Sequence, residues 1–342
     1  MQAQVLDAAA LGLRARSQRL RRADVIKALN EDRSIVRTWL MRGTLHLIAS
    51  DDLGWMLAIL GPVFAAGNKT RHAQLGLDAT TKSKGTDAIR RILSQEGPLT
   101  RYEIVDRLRR YGVKLDPKTQ APIHLIGVAA LAGVLCLGPD RANGEPTYVL
   151  IDDWIGKQQS PPTESAFREL AARYFAGYGP ASLDDFVAWS GLPMAQARSS
   201  LSSARPAFQE VMIGGHPSFL PKGALRRLGE EERPSVRLLP AFDTYLRGYR
   251  SRKLAVPPSL EMRLQRGGGW LHPAVLNNGR AVAAWSLRKR GNQAQVTIEP
   301  GEKPIPAGLR SGIETEAKDI GRFLGTGVST EIRRPAKSPA SR

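Results

Sequence analysis

The sequence predicts an α+β protein, with tandem winged helix-turn-helix domains followed by a β-rich C-terminal domain. Three observations carry this expectation. GPLTRYEIV at Gly97 to Val105 is echoed by GPASLDDFV at Gly179 to Val187, each set between helical patterns and ahead of strand-turn-strand signals. The spacing, roughly 80 residues, is too long for a solenoid repeat and suits tandem small domains. RTWLMRGTLHLI at Arg37 to Ile48 reads as strand, tight turn and strand directly after a short helical pair. From Val236 the pattern turns to strands, with the strongest hairpin signal at Asn278-Gly279.

Composition bounds the function classes. The 342 residues make about two to three domains, and 42% hydrophobic content is enough for real cores. Lys plus Arg total 50 against 32 Asp plus Glu, a net charge of +18, which is the electrostatic footprint of a polyanion ligand, most often nucleic acid. Cys136 is the single cysteine, so a disulfide framework, a cysteine zinc site and an iron–sulfur cluster are excluded. The five histidines are scattered without HExxH spacing, so no metal and no cofactor is expected. Apolar runs are short and interrupted, which predicts a protein without membrane association, cytoplasmic and nucleoid-associated, and monomeric.

Along the chain, Leu6, Ala9, Ala10 and Leu13 predict a first helix, with Arg14, Arg16 and Arg19 at its end where the helix dipole favours cations. A core helix so near the start is expected to have lost preceding helices, with Met1 an internal methionine. A second short helix covers Arg22 to Asn30. In the hairpin, Leu45 and Leu47 take one face and Thr44 and His46 the other. Arg42 is in step with the latter pair, so cation, hydroxyl and imidazole share one exposed edge of a wing; the alternative is a solvated Arg42 and a locally satisfied His46.

Ser50 or Asp51 should cap the next helix, which Gly61-Pro62 should end or kink, and Gly67 to Gly85 reads as a basic connecting segment. Thr100 with Glu103 forms a capping box, and Ser182 with Asp185 its Asp variant. Amphipathic helices precede these at Asp87 to Gln95 and Ser165 to Ala176, and helices near Pro117 to Ala132 and Pro193 to Ser203 follow. Later come a buried strand in VRLLPAFDTYLRGYR, a flexible turn at Gly267 to Gly269, strands either side of Asn278-Gly279 and at Gln293 to Ile298, and a helix at Glu314 to Leu324. The expected domains are 1–83, 84–158 and 159–235 as winged helices, 236–332 as the β-rich part, and 333–342 as a disordered basic tail.

Four stretches together resemble the AlkZ/YcaQ group of winged-helix DNA-binding proteins, which contains bacterial DNA glycosylases for alkylated and cross-linked DNA. They are MQAQ at Met1 to Gln4, RTWLMRGTLHLI, LLPAFDTYLRGYR at Leu238 to Arg250, and GGGWLHPAVLNNGRAVAAW at Gly267 to Trp285. The resemblance spans almost the whole chain. It implies three tandem winged helices and a β-rich part wrapped as a C around double-stranded DNA, damaged in the substrate. It also places a catalytic Gln-x-Gln motif on Gln2 and Gln4, where the other branch of the family carries Asp at the second position. The chain departs from the pattern in lacking the helices that normally precede this motif, which would leave the two glutamines on a frayed end.

Those residue types suit the chemistry. Alkylation at purine N7 or N3 makes the base cationic and a good leaving group, so the protein need only hold a water at the anomeric carbon and stabilise a sugar cation. A glutamine carbonyl can accept from the water while its amide donates to a phosphate or sugar oxygen. Positions i and i+2 of a helix do not face each other, so Gln2 and Gln4 can share a site only if MQAQ is extended or turned. Asp7 and Asp243 are the available carboxylates, and Asp243 is expected to pair with Arg247 or Arg250. Candidate DNA contacts, mostly to phosphates, are Arg37, Arg42, Thr44, His46, Arg247, Arg250, Arg252, Lys253, Arg288, Lys289 and Arg290. Trp39, Trp270 and Trp285 alternate as strand residues do and are expected in the core rather than stacked on bases. The competing readings are a non-catalytic winged-helix regulator and an inactive, truncated paralogue.

Overall fold

The computed structural model describes residues 1–227, 235–265, 267 and 269–335. It is a mixed α+β chain in two compact units, residues 26–221 and residues 1–25 with 222–342. The serial division at residues 83, 158 and 235 is crossed by this grouping, because the first 25 residues cluster with the C-terminal part. After a non-helical stretch over residues 1–5 come helices α1 (Leu6–Arg14) and α2 (Arg22–Asn30).

Unit 26–221 begins with strands β1 (Ile35–Trp39) and β2 (Leu45–Ala49), then α3 (Ser50–Gly67), α4 (Lys69–Gln74) and α5 (Ala79–Glu96). There follow β3 (Leu99–Thr100), α6 (Arg101–Leu108), α7 (Ala121–Leu131), β4 (Leu135–Leu137), β5 (Thr147–Leu150) and α8 (Ile151–Ile155). The unit closes with α9 (Thr163–Tyr178), α10 (Leu183–Ser190), α11 (Met194–Ala204), β6 (Phe208–Ile213) and β7 (His216–Pro221). Both expected capping boxes form, Thr100 with Glu103 and Ser182 with Asp185, each side chain reaching the other residue's backbone N–H.

The Arg37 to Ile48 hairpin also forms, with Thr38 opposite His46 and Trp39 opposite Leu45, and its turn uses positive φ at Arg42 and Gly43. Its surroundings differ from the expectation. β1 also pairs with β4 through Arg37 and Leu137, so the hairpin joins one five-stranded sheet in the order β2-β1-β4-β5-β3. The exposed edge is not formed: His46 and Thr38 are buried, with α3 packed against both strands and α7 against β1.

Two other expectations change. Of the two outcomes expected at Gly61-Pro62, an end or a kink, the end is ruled out, since α3 runs on to Gly67 with Pro62 inside it. Gly61 is required there by close packing, since a Cβ would overlap the Leu131 carbonyl oxygen. The supposed connector at residues 67–85 is helical in α4 and the first turns of α5, and Asp78 caps α5 by accepting from the Thr81 N–H at 2.7 Å. No apolar stripe announced it, because the buried residues of α5 begin only at Gly85 and continue through Ala88, Ile89, Ile92 and Leu93.

In the other unit, β8 (Val236–Leu239), α12 (Thr244–Arg247), α13 (Pro258–Leu264), β9 (Ala274–Asn277), β10 (Arg280–Arg290) and β11 (Gln293–Pro300) precede α14 (Arg310–Leu324) and β12 (Gly327–Ile332). The sheet order is β12-β11-β10-β9-β8. Asn278 and Gly279 both take positive φ, as the two central residues of a type I′ turn must. β12, parallel to β11, was not foreshadowed; it is a mostly polar edge strand with half-exposed alternation. Arg333, the first residue of the expected tail, pairs with Glu299 at 3.3 Å, and residues 336–342 of that tail lie outside the described residues. In the expected turn Gly267 and Gly269 take positive φ, while Gly268 lies outside the described residues.

Arg14 is not a solvated end-of-helix cation. It is buried, bonded to Glu316 at 3.1 Å, Asp319 at 3.0 Å and the Leu238 carbonyl at 3.0 Å, and so ties α1 to α14 and β8. Trp285 is core as expected, its indole N–H donating to the Leu239 carbonyl at 2.8 Å, and the half-buried Trp39 stacks on Tyr148.

Candidate active site

Residues 1–5 are not helical, and Val5 has extended dihedrals, φ −115° and ψ 108°. Outside a helix the side chains i and i+2 are not held apart, and Gln2 and Gln4 meet: the Gln2 amide Nε2 donates to Gln4 Oε1. The strip is not frayed, for Ala3 is fully buried and Gln2 is 4% exposed, while Gln4 faces solvent. Gly12 on α1 leaves room for it, since a Cβ there would lie 3.0 Å from Met1 Sδ and 3.3 Å from an Asp243 carboxylate oxygen.

The second half of the site comes from β8–α12. Arg247, in the last turn of α12, donates from Nε to Gln2 Oε1 at 3.1 Å. Asp243 caps the other end of this helix, accepting from the Tyr245 N–H at 2.9 Å. Its ion pair is with Arg16, at 2.7 and 2.8 Å, rather than the expected Arg247 or Arg250. The reason is geometric: a cap residue sits at the N-terminal end of the helix and Arg247 leaves from its C-terminal end, whereas Arg16 follows α1 directly. Asp7 is exposed and pairs with Arg22 at 2.9 Å.

Two aromatic residues border Arg247. Phe242 has φ +58°, a conformation that costs a bulky residue on the order of 1–3 kcal/mol and that clusters at functional sites. Its ring lies 5.8 Å from the Arg247 guanidinium and packs edge-on against Trp270, with centroids 4.7 Å apart. Trp270 is 46% exposed, so the core reading fails for it: the loop residue caps Phe242 on one side and meets solvent on the other. Neither Phe242 nor Arg16 stood out in the sequence, although the Phe-Asp pair in LLPAFDTYLRGYR was the available signal.

Burial pushes the pKa of Arg247 down, and the nearby Arg252 charge lowers it further. Both stay cationic at neutral pH. Arg252 is itself lowered by burial and is anchored to the Leu246 carbonyl and Gln265 at 2.9 Å each. Arg250 and Lys253 are exposed, as are Arg288, Lys289 and Arg290 at the end of β10.

The remaining candidates belong to the other unit. Arg37 is half-buried and lowered by burial, against the opposing effect of Asp140 and Tyr148. Arg42 donates to the Trp189 carbonyl, Thr44 to the Met41 carbonyl at 3.1 Å, and His46 Nδ1 lies 2.8 Å from the Thr44 carbonyl. His46 thus follows the alternative reading of local satisfaction. Cys136 is buried, with its thiol pushed up to about 12 by desolvation, which keeps it out of nucleophilic chemistry at neutral pH.

A basic α+β chain that holds two amide side chains beside an arginine fits the class of proteins that take a polyanion. The family model of the AlkZ-like DNA glycosylases matches residues 1–323. The chain is 27% identical over 336 residues to an interstrand DNA cross-link repair glycosylase of Streptomyces sahachiroi, covering 95% of this chain and 88% of that protein. The solved structure of the DNA glycosylase AlkZ of the same organism is similar with a TM-score of 0.80 at 25% identity, covering 97% of this chain and 91% of that one. The chain belongs to the AlkZ-like family and is a DNA glycosylase.

Proposed function

We propose that this glycosylase hydrolyses the N-glycosidic bond of alkylated purines in double-stranded DNA, with a water held by the Gln2–Gln4 pair. The observation that carries this is the bond between the two amides, one buried and tethered to Arg247, the other open to solvent. An amide oxygen has two lone pairs, so Gln4 Oε1 can accept from a water as well, and its NH₂ can donate to a phosphate or sugar oxygen. The leaving group is already cationic, so positioning and electrostatics suffice without a strong acid. The relative's name extends the proposal to unhooking of interstrand cross-links, and hence to DNA repair in the cytoplasm, at the nucleoid.

The exposed cations Arg250, Lys253 and Arg288 to Arg290, together with the partly exposed Arg37, Arg42 and Thr44 of the other unit, are the proposed DNA contacts, and the buried His46 drops out of that set. The helix–helix–hairpin sequences around the two capping boxes support the tandem winged-helix reading, with the β-rich part after them and the protein acting as a monomer. The regulator reading gives way to family membership in a group of enzymes.

The test is Gln4→Ala in single-turnover release of N7-methylguanine from duplex DNA. Loss on the order of 100-fold or more is expected, with binding almost unchanged, because the amide acts on the transition state. Gln4→Asp should keep part of the activity. Excision by Gln4→Ala at the wild-type rate rejects the proposal.

A further inference from the structure

The hydrogen bonds of the site have a direction. Arg247 is a donor only, so the Gln2 oxygen must face it at 3.1 Å; with the amide turned over, N–H would meet N–H. That orientation leaves the Gln2 NH₂ for Gln4 Oε1. The order Arg247 to Gln2 to Gln4 then sets which end of the exposed Gln4 amide can take a water and which can donate. Arg247 also has an electrostatic peculiarity. It is half-buried beside the cation Arg252, and no carboxylate among the described residues pairs with it. A guanidinium in that setting is completed by an anion, and on DNA the available anion is a backbone phosphate.

We infer that Arg247 is a positioning residue for the glycosylase reaction, fixing the Gln2–Gln4 amides through Nε while its other N–H groups take a phosphate of the damaged strand. The inference rests on the proposed role of the glutamine pair. It couples DNA engagement to the geometry of that pair, since one planar guanidinium serves both. Lysine supplies the charge but not the fixed fork, so Arg247→Lys separates the two roles.

The experiment uses the full chain and duplex DNA containing N7-methylguanine. For Arg247→Lys, affinity within about three-fold of wild type is expected, while single-turnover release slows on the order of 10- to 100-fold, the usual effect of misplacing a group that positions a reactant. Release by Arg247→Ala should be partly restored by added guanidinium, which a merely structural defect would not allow. A second readout does not need activity: the side-chain amide resonances of ¹⁵N-labelled Gln2 should shift in Arg247→Lys, with an unchanged thermal midpoint. Wild-type release by Arg247→Lys, or a defect abolished by saturating protein, overturns the inference and leaves a plain phosphate contact. If the wild-type protein itself releases no base, the proposed function falls, and unshifted Gln2 amide resonances in Arg247→Lys then overturn the positioning role separately.

Discussion

Two groups of basic residues in the same unit behave differently. Arg14, Arg16 and Arg247 are tied to the N-terminal strip and its neighbours: Arg14 is buried on Glu316 and Asp319, Arg16 grips the buried Asp243, and Arg247 reaches Gln2. Arg288, Lys289 and Arg290 end a long strand, all exposed. In the first group each cation fixes the position of a partner; in the second, long side chains keep their freedom and act through charge. The lesson is that a surplus of +18 is not one property. Part of it is structural, held inside the fold, and only the rest is open at the surface to a polyanion.

The contrast can be broken at several points. Arg14→Ala should cost on the order of 3–5 kcal/mol in chemical denaturation, because it strands Glu316 and Asp319 and frees the Leu238 carbonyl. A cost below about 1 kcal/mol would place Arg14 with the surface cations. Charge reversal at Arg288, Lys289 and Arg290 should leave stability within about 0.5 kcal/mol. It should instead weaken binding to damaged and undamaged DNA alike, and make log affinity fall less steeply with log salt, by about 0.9 for each phosphate that is no longer neutralised. Weakening confined to damaged DNA would show lesion recognition instead.

Arg141, exposed and paired with Glu103 at 3.1 Å, tests the middle ground, and Arg141→Ala should cost less than about 1 kcal/mol. The smallest effect is pH-dependent. Glu103 sits below the usual carboxylate range, chiefly through the Thr100 backbone N–H, with burial opposing and Arg141 assisting. Its contribution is therefore present above the unfolded-state value and lost as pH falls through the depressed folded one. Relative to Glu103→Gln, the wild type should lose stability as pH drops below about 4. Parallel curves would remove the carboxylate from the capping box.

Much of the fold was legible because its signals are local. The capping boxes need only Thr100 with Glu103 and Ser182 with Asp185, and the type I′ turn needs only Asn278-Gly279, so both could be read directly. α4 and the start of α5 could not, since their first turns carry no apolar stripe: α4 buries His72, and α5 starts on the Asp78 cap. The site was half legible. Gln2 and Gln4 were proposed from the resemblance, and the condition that MQAQ be extended or turned came from helix geometry. Arg247 was marked only as a phosphate contact, and Asp243 was given the wrong partner.

What the sequence by itself determined is whatever depends on neighbours a few residues apart: the helix caps, the tight turns, the alternation of strands, and the total charge. What only the tertiary structure decided depends on residues brought together across the chain. Arg16 meets Asp243 from 227 positions away, Gln2 meets Arg247 from 245, and the first hairpin is buried where α3 and α7 pack on it. The physical reason is that periodicity and capping are set by backbone dihedrals and one turn of hydrogen bonds, whereas the partner of a long polar side chain is set by packing. An arginine is chemically the same whether it steers a phosphate or aims an amide, and burial decides which.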